Sequence, residues 1–287
     1  MQAGGHRFDP GTLHFFGRCA NRGAIDSRLV FTVEQRDALR EHLLRLAEED
    51  AHVVAGAAVG SLAVDGGDRF SDLDLTFGIA DHVPVADVLN EWTRTLIDEL
   101  DAVHLADLER GPTTYRVFLL PDALQFDLSM TPAAQFRPAG PRFRLLFGET
   151  AEGESEVPTR PVAGGLFLPT PPVAGDIFGW GVIYALHARA CIERGRVWQA
   201  EHYIGAVRDH SLSLACLRQG LPPVQARGYD DLSAETLARF EDAHVAAVEP
   251  AALRAALAAS VLALMCEGTE TRLPNAHVVA ARLAELH

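Results

Sequence analysis

The chain is short of positive charge. It carries 25 basic residues against 39 acidic ones, for a formal net charge of −14. A dedicated nucleic-acid binder needs a basic surface, so no nucleic-acid partner is expected. The same balance suits a cationic small molecule, although acidity also serves solubility. Cysteine is scarce too. Cys19, Cys191, Cys216 and Cys266 are scattered, and no pair has the spacing of a zinc site or a redox motif. They read as reduced thiols, which fits a cytoplasmic protein. No run reaches the ~18 apolar residues of a membrane span. Met1 to Arg7 leads into no apolar segment of signal-peptide length. There is no internal repeat and no low-complexity tract. What is left is a globular composition, 48% hydrophobic and 22% charged, over 287 residues. That length allows one large domain or two small ones.

Against this background one stretch stands out. Val53 to Val59 is apolar throughout and predicts a buried strand that ends at Gly60-Ser61. Asp72 and Asp74 follow on a second strand, Leu73 to Phe77. Side chains two apart on a strand share a face, so the two carboxylates project together with Leu73 and Leu75 behind them. Like charges that close resist ionisation. A divalent cation relieves the repulsion, and hard carboxylate oxygens suit Mg²⁺. Glycine lets a phosphate approach the backbone, and the Ser61 hydroxyl can bond to it. A third acid completes the set. Ala123 to Met130 alternates with period two, placing Leu124, Phe126, Leu128 and Met130 on one face and Gln125, Asp127 and Ser129 on the other. Three carboxylates on neighbouring strands can hold two Mg²⁺ ions and a triphosphate.

Val59-Gly60-Ser61, Asp72-Leu73-Asp74 and Asp127 together resemble the motif of the DNA polymerase β-like nucleotidyltransferase superfamily. That motif is a hydrophobic residue, Gly, then Gly or Ser, roughly ten residues, Asp-x-Asp, and a later Asp. Within it, the chain is most similar to the bacterial enzymes that adenylylate lincosamide and aminoglycoside antibiotics. The motif match spans about residues 53–131. The resemblance implies roles. Asp72 and Asp74 would hold two Mg²⁺ ions and the triphosphate, and Asp127 the catalytic Mg²⁺ near the α-phosphate. Gly60 and Ser61 would cradle the distal phosphates. Ser71 would either touch phosphate or cap a turn. The co-substrate is expected to be ATP or another nucleoside triphosphate, and the acceptor a small molecule bearing a hydroxyl. A protein or RNA acceptor, as in toxin–antitoxin relatives, is the alternative. So is a catalytically silent nucleotide-binding module, although no carboxylate of the motif is missing. Relatives include homodimers, but these residues carry no dimer signature.

The remaining pattern is α+β: a mixed-sheet nucleotidyltransferase domain followed by an all-α helical bundle. Thr32 with Gln35 reads as a capping box, with Leu39, Leu43, Leu46 and Ala47 at helical spacing behind it. Val85, Val88, Leu89, Trp92, Leu96 and Leu100 mark an amphipathic helix. Ala102–Leu108 and Thr113–Leu120 read as strands. The expected bounds are 1–148 for the first domain, with an irregular arm to about 30, and 149–173 for a Gly/Pro/Glu-rich linker or loop. The span 174–287 then forms the helical, substrate-binding domain. In it, helices are predicted from Phe178 through Ala190 to a stop at Gly195, Trp198 to Arg218, Ser233 to His244, Pro250 to a stop at Gly268, and Asn275 to Leu286. Glu201 and Arg208 lie two turns apart on one helix face. Glu201 or Asp209 is the expected general base for the acceptor hydroxyl, with Arg208 on the triphosphate. A Glu201–Arg208 surface pair is the plainer reading, and Asp127 is a rival base.

Overall fold

The computed structural model describes residues 31–64, 67–138, 142–152 and 173–284. The arm before residue 31, Cys19 and most of the expected linker lie outside them. The first helix, α1 (Val33–Glu49), starts where its capping box demands. Thr32 Oγ1 accepts from the Gln35 N–H at 3.2 Å, and Gln35 Oε1 accepts from the Thr32 N–H at 2.6 Å. Strands β1 (Val53–Val59) and β2 (Leu73–Ile79) follow, then α2 (Val85–Leu100). Next come β3 (Val103–Arg110), β4 (Thr113–Leu119), β5 (Gln125–Pro132) and β6 (Phe143–Phe147). The strands form one sheet in the order β3-β4-β5-β2-β1-β6. β2 and β5 run parallel, and every other pairing is antiparallel.

The period-two pattern decides which face is covered. Leu73, Leu75, Phe77 and Ile79 of β2, with Phe126, Leu128 and Met130 of β5, are fully buried against Leu39 and Leu43 of α1 and Leu89, Trp92 and Leu96 of α2. Asp74 and Asp127 therefore lie on the opposite face, away from α1 and α2.

The C-terminal half is helical: α3 (Ala174–Glu193), α4 (Val197–Gln219), the short α5 (Ala234–Ala238), α6 (Pro250–Glu270) and α7 (Ala276–Leu283). A single apolar cluster runs from Val103, Leu105, Val117 and Leu119 of the sheet into α3, α4, α6 and α7. At Gly179 the helix backbone sits so near β3 that a Cβ would overlap the Leu105 carbonyl. Arg282 of α7 also donates to the Leu119 carbonyl at 2.6 Å, tying the C-terminal helix to β4.

Two helix expectations need correction. The pattern from Ser233 to His244 gives only the five-residue α5, then a 3₁₀ turn at Glu241–Ala243. The chain breaks there because Leu232 and Phe240 both turn inward against Leu212, Ala215 and Cys216. Nor does Gly268 close α6, which continues to Glu270; the missing Cβ instead makes room for the Phe178 ring. α6 is also long and apolar enough to cross a membrane by length and composition, which the sequence count did not anticipate. More than half of that stretch is buried, with Leu253, Leu257, Val261 and Leu264 in the core. Core packing accounts for its apolarity.

Beside these apolar rows sits Glu267, with no exposed side-chain surface. Arg218 grips it with Nε to Oε2 at 2.9 Å and Nη2 to Oε1 at 3.0 Å, and Arg239 Nη1 lies 3.5 Å from Oε1. Burial raises its pKa and Arg218 opposes the rise. Intact, such a pair contributes little net stability, but removing one partner strands the other charge. Glu267→Ala is expected to destabilise the fold by about 2–3 kcal/mol, less than a fully buried pair because Arg218 keeps some solvent. Urea unfolding measures this. A loss under ~0.5 kcal/mol would mean that Glu270, which pairs with Arg218 at 2.9 Å and with Arg239 at 2.5 Å, alone satisfies both arginines.

Candidate functional site

Parallel pairing of β2 and β5 sets Asp74 directly opposite Asp127. Asp72 stands one residue ahead of β2, on the same face as Asp74. One ligand oxygen from each of the three carboxylates lies within 4.8 Å of the others. β1, on the other side of β2, runs straight into a 3₁₀ turn, Gly60–Val64, that returns the chain beside them. Gly60 has φ +68°, the left-handed region that favours glycine. A Cβ there would overlap the Asp74 carboxylate oxygen. The next residue, Ser61, has a buried Oγ with no hydrogen-bond partner among the described residues. A buried hydroxyl without a partner is costly unless a ligand meets it.

The electrostatics match the crowding. Burial pushes the Asp74 carboxyl well above its ordinary value of 3.8, and the charges of Asp72 and Asp127 push it further. Asp127 is raised to about 7, first by burial and then by Asp72, while a 2.9 Å hydrogen bond from Gln125 Nε2 pulls the other way. Three crowded carboxylates, of which Asp74 and Asp127 resist ionising, are the donor set for a hard divalent cation. The site fits Mg²⁺. A stability consequence follows. Between pH 3.8 and about 7 the folded protein holds a proton on Asp127 that the unfolded chain has released, and Asp74 is shifted in the same direction. Without divalent cation, stability is therefore expected to fall as pH rises through that window. Mg²⁺ competes with those protons, so it should raise the melting temperature more at pH 8 than at pH 5. Thermal melts at both pH values check this. An equal shift at both would mean that the cation does not displace protons from the site.

Opposite the acids, α3 forms the far wall of a cavity of about 210 Å³. Asp72, Gln125 and Phe70 line it from the sheet side, and His187, Cys191 and Arg194 from α3. These last three recur at helical spacing and share one face. The apolar run of α3 hid them in the sequence, since His187 interrupts what reads as a core stripe. Burial lowers the His187 pKa; the Asp72 charge opposes this and Arg194 assists it. Its ring meets Tyr203 of α4 edge-on at 5.1 Å.

Of the expected residues, the structure brings together Gly60, Ser61, Asp72, Asp74 and Asp127. Ser71 is buried, and its Oγ accepts from the Asp68 N–H at 3.0 Å and bonds Asp68 Oδ1 at 3.1 Å, so it holds a turn. Glu201 is half-buried on α4 and lines neither this cavity nor the second one described below. It does not pair with Arg208. Arg208 instead pairs with the next residue, Asp209, at 3.2 Å. Both line a separate hollow of about 950 Å³ with Tyr229, Phe240 and His244.

The fold and the acids together define an α+β protein with a candidate divalent-metal centre on its sheet. No family model matches the chain, and no curated protein matches it in sequence. Among solved structures it is similar to an aminoglycoside 6-adenyltransferase from Bacillus subtilis, at 12% identity and a TM-score of 0.29. That alignment covers 87% of this chain and 91% of the other.

Proposed function

We propose that the chain is a Mg²⁺-dependent nucleotidyltransferase. It would move a nucleoside monophosphate, AMP from ATP in the first instance, to a hydroxyl of a small molecule. The observation that supports this best is the trio Asp72, Asp74 and Asp127 packed beside Gly60, whose missing Cβ lets the Asp74 carboxylate lie against the turn that Ser61 continues. In this reading residues 1–148 are the catalytic domain, 149–173 the connection and 174–287 the acceptor-binding domain. The acceptor enters the cavity between the sheet and α3. A cationic acceptor such as an aminoglycoside suits the net charge of −14, and a lincosamide is the other antibiotic class to test.

Asp72, Asp74 and Asp127 would hold the cation, which when bound neutralises charge on the transferring phosphoryl group. Gly60 and Ser61 give the distal phosphates a backbone turn and a hydroxyl to bond. The acceptor oxygen forms a bond to the α-phosphorus in line with the bond to pyrophosphate that breaks. Asp127 takes the acceptor proton, since it stands among the three acids with its pKa raised to about 7, and Glu201 is not part of that cluster.

The experiment is a screen for pyrophosphate release from each nucleoside triphosphate across aminoglycosides and lincosamides. Acceptor-dependent release that needs Mg²⁺ is expected. Absence of release with every pair would remove small-molecule transfer. With an acceptor in hand, Glu201→Gln is expected to keep its rate within about threefold. A loss of roughly 10²–10⁴, the range of a missing general base, would return the role to Glu201.

A further inference from the structure

The chain contains no lysine, so all 25 of its basic residues are arginines. Any permanent positive charge offered to a phosphate chain must therefore be a guanidinium. Arg189 and Arg194 are the arginines that line the cavity beside Asp72. Arg194 is held in a particular way. Its Nε donates to Asp68 Oδ2 and its Nη2 to Asp68 Oδ1, both at 2.7 Å, and Nη2 also reaches Ser71 Oγ at 3.3 Å. That is a side-on grip. It uses one edge of the planar fork and leaves Nη1, on the far side, without a partner among the described residues.

Asp68 is itself fixed. Its Oδ1 accepts from the Phe70 N–H at 2.9 Å and from Ser71 Oγ at 3.1 Å. The buried Arg36 of α1 donates to the Asp68 carbonyl at 2.7 Å and to the Ser71 carbonyl at 3.3 Å. The turn 68–71 is thus clamped from α1, and it leads directly into Asp72. Through Asp68, a guanidinium at the C-terminus of α3 is held at a fixed place relative to the acid strand, 126 residues away in sequence.

We infer that Arg194 is the arginine that meets the phosphate chain of the nucleotide, and that Asp68 is the positioning residue that aims it. This rests on the nucleotidyl-transfer reading. It assigns the phosphate-binding role to Arg194 rather than Arg208, which lines the other hollow and not the cavity beside Asp72. A carboxylate on one edge fixes the rotamer in advance, so less side-chain freedom is lost when phosphate binds the other edge.

The test is calorimetric titration of the full chain with Mg²⁺–ATP and, separately, Mg²⁺–tripolyphosphate. The proteins are wild type, Arg194→Gln, Arg194→Lys, Asp68→Asn and the double variant Asp68→Asn/Arg194→Gln, each with a thermal melt. Arg194→Gln is expected to weaken both ligands about tenfold or more, as befits one lost charge-assisted contact. Arg194→Lys should fold if any variant does, and should still bind several-fold more weakly, because an ammonium cannot take both the carboxylate and the phosphate as a fork does. Asp68→Asn should weaken binding several-fold. The double variant should bind no worse than Arg194→Gln, since the Asn oxygen can keep the Phe70 and Ser71 bonds of the turn and the remaining side-chain bonds of Asp68 are those to Arg194. Wild-type affinity in both Arg194 variants would overturn the assignment and leave the parent reading standing. Tighter binding in Asp68→Asn would show that the carboxylate competes with phosphate rather than aiming the arginine. Additive losses in the double variant would show two independent effects. Wild-type protein that binds neither ligand would overturn the nucleotidyl-transfer reading itself, and this inference with it.

Discussion

Asp74→Asn is expected to abolish nucleotidyl transfer while leaving the fold intact or slightly firmer. Asn keeps the shape of Asp74 and removes one anionic oxygen from the set that would hold the cation. Losing that oxygen is expected to reduce turnover by on the order of 10³, about 4 kcal/mol in the barrier. Stability should move the other way. Asp74 is buried between two like charges, and ionising it there is unfavourable. The amide never ionises, so the metal-free melting temperature at pH 8 should equal or exceed that of wild type. Steady-state kinetics and a thermal melt decide both halves. A variant that turns over normally would remove Asp74 from the chemistry. One that melts well below wild type would make it a structural residue.

Gly60→Val should be as severe for a different reason. At φ +68° a β-branched residue is strained by roughly 1–3 kcal/mol. Its Cβ would also overlap the Asp74 carboxylate, so either the turn or the acid must move. Both movements damage the same site. Catalytic efficiency should fall by about 10² or more, with a lower melting temperature as well. Gly60→Ala, which carries the same overlap with less strain, should lie between. A fully active Gly60→Val would show that the turn does not touch the nucleotide.

Much of this site was legible in the sequence because its parts are local and periodic. Gly60 follows an unbroken apolar strand, Asp72 and Asp74 are two apart, and Asp127 is the only acid inside an alternating strand. Period two then places all three carboxylates on one face whichever way the strands pair. The parallel register that sets Asp74 opposite Asp127 was not legible, since it depends on the route through α2, β3 and β4. β6 was missed because Phe143-Arg144-Leu145-Leu146-Phe147 breaks strict alternation and is only five residues long. The far wall was missed for a physical reason of its own. A buried helix is apolar on most faces, so the cavity-lining His187 and Arg194 read as an interruption and an end. The Asp68–Arg194 pair spans the chain, and no spacing rule reaches across 126 positions. The pairing of Glu201 with Arg208 failed because helical spacing permits a contact without requiring it. Arg208 found Asp209 instead.

Calorimetric titration of ATP, with and without Mg²⁺, on wild type and Asp74→Asn tests the metal centre most directly. In wild type, Mg²⁺ should tighten ATP binding by about tenfold or more, because Asp72, Asp74 and Asp127 otherwise repel the phosphates. Asp74→Asn should lose most of that gain. Equal affinity with and without Mg²⁺, in wild type and variant alike, would contradict the metal-centred reading of these three carboxylates.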